Sequence, residues 1–189
     1  MSEHIGTIEK DLRQLDAHKT AALLGDPEGV RQFRRTIRRI RAWLRMGSAR
    51  ELEQELGWVA KELSALRDLD VLDETLNRHT SRSARPMAIQ QAVFALNSER
   101  WRKARAALET VAAPKRKDGE QRLKELEKEL EKFKLSDSES LHALRRLVRR
   151  VRLTRKWLGR TTADLDGAQK ALSACCDVLL LERFSKANG

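Results

Sequence analysis

Between the break at Gly47 and Ser48 and residue 78, apolar residues return at steps of three and four: Leu52, Leu56, Val59, Leu63, Leu66, Leu69, Leu72 and Leu76. Only an α-helix gathers such positions on one face, because its side chains recur every 3.6 residues and those of a strand every second residue. The spacing predicts one long helix over 49–78 with a single buried stripe. The same period runs through the rest of the chain. Ile8, Leu12, Leu15 and Ala22 mark a helix within 5–24, which the turn signal GDPEG at 25–29 closes. A second helix starts near Val30 and stops at Gly47. The polar cluster HTSRSARP at 79–86 reads as a loop, and a helical pattern follows from Ala88 to Ala112. Residues 120–134 alternate Glu and Lys around Leu123, Leu126, Leu130 and Phe133, the pattern of an exposed helix held by i,i+4 pairs. SDSES at 136–140 offers an N-cap, and two further helices, Leu141 to Leu158 and Leu165 to Phe184, flank GRTTADLDG. Three prolines and nine glycines in 189 residues interrupt little of this, so the fold class is all-α, a helical bundle.

The length suits a single domain over 1–189, built as two halves, about 1–113 and 120–189, joined by a loop at 114–119. No stretch approaches the roughly 20 apolar residues of a membrane span, and the N-terminus lacks the apolar core of a signal peptide. The expectation is a soluble cytoplasmic protein with no membrane partner. Cys175 and Cys176 are neighbours in a helical pattern, point in different directions and are expected to stay reduced.

The net charge of +11 is concentrated. Residues 30–46 hold seven arginines and no acid, and residues 141–160 hold eight basic residues and no acid. The other 24 of the 39 basic residues are outnumbered by 28 acids, so the positive field comes from two segments on a slightly acidic frame. These segments repeat at an offset of 111: VRQFRRTIRRIR at 30–41 lies over LHALRRLVRRVR at 141–152. Val30, Phe33, Ile37 and Ile40 fall on Leu141, Leu144, Val148 and Val151. A repeat at this scale points to two similar bundles about a pseudo-twofold axis, with the basic helices near each other around a basic cavity.

At 100° per residue, Arg31, Arg34, Arg38, Arg41 and Arg45 fall within an arc of about 80°, beside an apolar arc of Phe33, Ile37, Ile40 and Leu44. His142, Arg145, Arg149, Arg152 and Lys156 form the matching column on the second helix. Neighbouring like charges cost a few tenths of a kcal/mol each, and a ligand of many negative charges relieves them. Arg suits phosphate because its planar fork donates two parallel hydrogen bonds and stays charged. The alternative for these arginines is a solvated face, or pairing with acids of the Glu-rich stretches at 50–62 and 120–131. Trp43, Trp58, Trp101 and Trp157 sit near apolar stripes as core or boundary residues. His4, His18, His79 and His142 are scattered without metal-ligand spacing, and the acids Asp68, Asp70, Asp73 and Glu74 fit helix capping, pairing to Arg67 or solvation better than a divalent ion. No metal, cofactor, phosphate loop or catalytic triad is expected.

The stretches GDPEGVRQFRRTIRRIRAWLR at 25–45 and LGWVAKELSALRDLDVL at 56–72 resemble the opening helices of the CHAD family, the conserved histidine α-helical domain. LNSERWRKARAALE at 96–109 is similar to a later helix of that family, and LHALRRLVRRVR at 141–152 resembles its second Val-His-type repeat. The ordered set is specific, although no single motif is. The resemblance implies an all-helical pair of bundles around a basic cavity that binds inorganic polyphosphate, often at polyphosphate granules. By position it implies binding through Arg34, Arg38, Arg39 and Arg41, and through His142, Arg145, Arg149, Arg150 and Arg152. Arg67 stands at the rim, with Arg35 and Arg146 beside the columns. The first repeat has Arg31 where the family has its histidine, which keeps a phosphate donor and removes a titratable group.

The expected function is therefore non-catalytic binding of polyphosphate in an Arg-lined channel. Nucleic acid is the weaker polyanion competing for the same electrostatics, a helical scaffold for protein partners is a further alternative, and a polyphosphate-processing enzyme ranks below these. Phosphoryl transfer ordinarily needs carboxylates holding metal beside the basic residues, and the basic segments contain none.

Overall fold

A computed structural model of the protein describes residues 4–76 and 83–188. They are all-α, with α1 Glu9–Leu23, α2 Pro27–Leu44, α3 Arg50–Glu62, α4 Ser64–Leu76, α5 Arg85–Asn97, α6 Glu99–Thr110, α7 Arg116–Glu131, α8 Ser138–Trp157 and α9 Ala163–Asn188. The chain divides into two compact units: Thr7–Ala113, holding α1 to α6, and Met1–Gly6 with Pro114–Gly189, holding α7 to α9. No helix among the described residues is long and apolar enough to cross a membrane.

Two helices begin earlier than periodicity suggests, because capping rather than apolar spacing sets their start. Asp26 accepts the Gly29 N–H at 2.6 Å, and Pro27 fills a first-turn position where its missing N–H costs nothing, so α2 starts three residues before Val30. Asp137 accepts the Ser140 N–H at 2.7 Å, while the Ser140 hydroxyl accepts the Asp137 N–H at 2.9 Å; this reciprocal box starts α8 at Ser138.

The long helix expected over 49–78 is two helices. Leu63 forms a turn between α3 and α4, and the Ser64 hydroxyl donates to the Lys61 carbonyl at 2.5 Å. Leu63 itself remains fully buried, so the apolar stripe keeps its phase across the turn and hides it. Residues 77 and 78 lie outside the described residues. The pattern from Ala88 to Ala112 also divides. Ser98 is extended, accepts the Trp101 N–H at 3.1 Å and donates to the Ala95 carbonyl at 2.7 Å, capping α6 and closing α5 with one side chain. Of the stretch 79–86, residues 79–82 lie outside the described residues, whereas Arg85 and Pro86 already belong to α5. Residues 116–119 of the expected joining loop form the first turn of α7.

In the first unit α1 packs on α2, α2 on α3 and α4, and α5 and α6 close over α3. Phe33, Ile37, Ile40 and Trp43 of α2 enter a core with Leu15, Leu56, Leu66, Leu96 and Trp101, and the Phe33 and Trp101 rings tilt together at 5.8 Å. Gly29 permits the closest approach: a Cβ there would collide with the Ala21 Cβ and lie 2.8 Å from the Ala21 carbonyl carbon. In the second unit α8 packs against both α7 and α9, burying Leu123, Leu126, Leu147, Val148, Val151 and Leu158. The first residues join this unit through the Ile5 N–H, which donates to the Pro114 carbonyl at 3.1 Å.

Candidate anion-binding helices

On α2 the apolar face seats the helix, and its arginines divide by what lies beside them. Arg34 donates to the Ala60 carbonyl of α3 at 2.6 Å. Arg41 and Arg45 both reach Glu53 of α3, at 2.6 and 2.5 Å. Gly57 makes room for the first of these, since a Cβ there would meet the Arg41 guanidinium at 2.9 Å. Arg39 turns the other way, to Asp11 and Gln14 of α1, and burial pushes its guanidinium below its ordinary value without discharging it. Arg31 and Arg35 are exposed and Arg38 is half-buried. Arg31 grips Glu28 with two hydrogen bonds of 2.6 and 2.8 Å, and this pairing, with Gln32, holds the Glu28 carboxyl down to about 2.

The corresponding positions of α8 divide in the same sense. Arg150 reaches back to Glu129 of α7 at 2.9 Å, as Arg39 reaches back to α1; Arg152 reaches forward to Asp166 of α9, as Arg41 reaches forward to α3. Arg145 lies 3.9 Å from Asp177 of α9. Arg155 bridges Glu127 and Asp164, and Arg160 pairs with Glu120. Arg146 and Lys156 are exposed, and His142 and Arg149 are half-buried. The imidazole of His142 is pushed below its ordinary range by burial first, then by Arg145, Arg183 and Arg146.

The relief of like charge, which the acid-free segments do not hold within themselves, comes from Glu28 in the first turn of α2 and from acids on neighbouring helices. The pairs with neighbouring helices are invisible to local spacing, whereas Glu28–Arg31 is an i,i+3 pair. Pairing with the Glu-rich stretches is realised for Arg41, Arg45, Arg150, Arg155 and Arg160. In the first unit the outward strip is consequently rotated from the arc read in the sequence: Arg34, Arg41 and Arg45 face α3, and Arg35, set beside the column, joins Arg31 and the half-buried Arg38; in the second unit Lys156, at the position matching Arg45, is exposed. Arg67, expected at the rim, forks onto Glu74 at 3.0 and 3.2 Å. Asp70 is buried against Arg85 at 2.8 Å and Asp73 lies 3.9 Å from the same guanidinium, so three of the four clustered acids are held by guanidiniums. No group of three or more metal-ligating side chains comes together among the described residues. Arg183 on α9 is the cation that sequence reading missed. It lies outside both Arg-rich segments, beside Glu182, and only the antiparallel return of α9 along α8 carries it toward His142.

The ion pairs do two things. They fix the guanidiniums, removing rotamer freedom before any ligand arrives, and they leave a positive excess wherever two arginines share one carboxylate, as at Glu53.

The CHAD domain family model matches residues 6–179. No curated protein matches the chain. Among solved structures, the crystal structure of the CHAD domain from the plant Ricinus communis matches with a TM-score of 0.73 at 19% identity, covering 98% of this chain and 80% of that one.

Proposed function

The chain belongs to the CHAD domain family, and from that premise we propose that it binds inorganic polyphosphate, the polyanion that family is known to bind, through cations of both α2 and α8 and without catalysing a reaction. The observation that carries this reading is the matched outward strip: Arg31, Arg35 and Arg38 on α2, and His142, Arg146 and Arg149 on α8. Successive members are three or four residues apart, about 5 to 6 Å along one helix face. A chain of linked phosphates carries a charge at every link and can meet such a strip repeatedly. Duplex or single-stranded nucleic acid spaces its phosphates more widely, so fewer of its charges meet the same strip.

The Arg31–Glu28 pair is exposed and screened by water and salt, so a phosphate oxygen can replace the carboxylate at little cost. Binding without catalysis follows from the company these arginines keep: the carboxylates beside them are taken up by guanidinium groups, whereas phosphoryl transfer uses carboxylates to hold metal. The setting is the cytoplasm, with polyphosphate granules as the place where such a ligand accumulates.

The test is calorimetric titration with long-chain polyphosphate, with triphosphate and with a DNA oligonucleotide of equal charge. The reading expects long-chain polyphosphate to bind most tightly and to weaken steeply with salt as counterions are released. Equal affinity for DNA would replace it with a generic basic surface.

A further inference from the structure

At the start of α8 four cations from two helices converge. His142, Arg145 and Arg146 share one helix face across a single turn, and α9 runs back along α8 in a register fixed by the Arg152–Asp166 and Arg145–Asp177 pairs, which carries Arg183 toward that turn, where its charge bears on the imidazole. Glu182, the chain neighbour of Arg183, is exposed. Asp177 of α9 lies 3.9 Å from Arg145, at the outer limit of an ion pair. Glu139, one turn before His142, is exposed, and the α7 acids that reach α8 do so farther along, Glu129 at Arg150 and Glu127 at Arg155. The Arg145 Nε is buried and has no hydrogen-bond partner. Leaving such a donor unmet costs about 1–3 kcal/mol, and an anion oxygen would meet it.

We infer that Arg183 completes, with His142, Arg145 and Arg146, a phosphate-gripping cluster in the second unit whose hold on polyphosphate tightens as the solution becomes more acid. This rests on the proposed polyphosphate binding and adds a residue and a regulation to it. The physics is linkage. In the empty cluster three guanidiniums oppose a fourth positive charge, so the imidazole stays neutral near pH 7. A bound phosphate reverses the sign of the local field and favours the imidazolium, so binding takes up a proton. Affinity then rises as pH falls through the window bounded below by the free imidazole's titration and above by that of the bound form. One proton sets the limit at about tenfold per pH unit. At the aligned position of α2 stands Arg31, charged throughout this range, so that position contributes no such dependence.

The experiment is titration of the full chain with long-chain polyphosphate from pH 5.5 to 8, each point in two buffers of different ionisation enthalpy. It compares wild type, His142→Asn, His142→Arg and Arg183→Ala, with helicity checked by circular dichroism. Wild type should take up protons on binding and tighten toward acid beyond any change shared by all variants. His142→Asn should lose that excess. His142→Arg should likewise show only the change shared by all variants, and Arg183→Ala should weaken binding by several-fold at every pH. Wild-type binding with no proton uptake, or an unchanged pH profile in His142→Asn, overturns this inference and leaves polyphosphate binding standing. No binding by wild type at any pH overturns both.

Discussion

Arg41 and Arg45 converge on one carboxylate oxygen, Glu53 Oε1, from 2.6 and 2.5 Å. The carboxylate is largely shielded from water, so its removal leaves two neighbouring guanidiniums repelling each other. Glu53→Gln should lower stability by about 1.5–3 kcal/mol, the range for hydrogen bonds to charged groups, and should raise polyphosphate affinity at low salt by freeing both cations. Urea denaturation and titration of the same variant test the two effects separately.

Arg35 and Arg146 occupy aligned positions and are exposed. Replacing either by Ala should change stability by less than about 0.5 kcal/mol and reduce the slope of log affinity against log salt by about 1 for each phosphate left without its arginine. Arg39→Ala should do the reverse. It strands Asp11, which is 4% exposed in the α1–α2 interface, at a cost of about 3–5 kcal/mol, with a smaller effect on the salt slope.

Asp70 is buried, and desolvation outweighs the pull of Arg85 to raise its carboxyl above the ordinary aspartate value of 3.8. The folded state therefore holds this proton more tightly than the unfolded state. The stabilising contribution is full below 3.8 and is lost as pH rises through the folded value. Asp70→Asn should abolish that loss, so the difference in stability between wild type and variant should shift against wild type as pH climbs from 3.5 to 6. Thermal denaturation across that range measures it.

Gly29 is where α1 and α2 meet most closely: an added Cβ would collide with the Ala21 Cβ and sit 2.8 Å from the Ala21 carbonyl carbon. Gly29→Ala should destabilise the first unit by about 1–3 kcal/mol despite alanine's better helix propensity, because backbone must move. Adding Ala21→Gly should recover little, because the contact with the Ala21 carbonyl carbon remains and a glycine inside α1 costs about 1 kcal/mol.

The apolar stripes made the all-helical fold legible, and the acid-free segments with their 111-residue offset made α2 and α8 legible as its basic elements. What escaped did so for physical reasons. A turn at Leu63 leaves the leucine in the core, so periodicity runs through it undisturbed; Ser98 ends one helix and starts another with a single hydroxyl, where a surface serine would look identical in sequence. The candidate site suffered most from tertiary charge pairing. Whether Arg41 faces solvent or Glu53 depends on how α3 returns along α2, and no local spacing encodes that. The outward strip and the contribution of Arg183 become visible only once the neighbouring helices are in place.

The central claim is that the outward strips of α2 and α8 hold polyphosphate. Its most direct measurement is titration of long-chain polyphosphate into Arg35→Glu/Arg38→Glu/Arg146→Glu/Arg149→Glu, with helical content and urea midpoint recorded on the same sample. The account predicts a folded protein whose polyphosphate binding is abolished or weakened at least a hundredfold. A folded variant that binds polyphosphate as wild type does would contradict it.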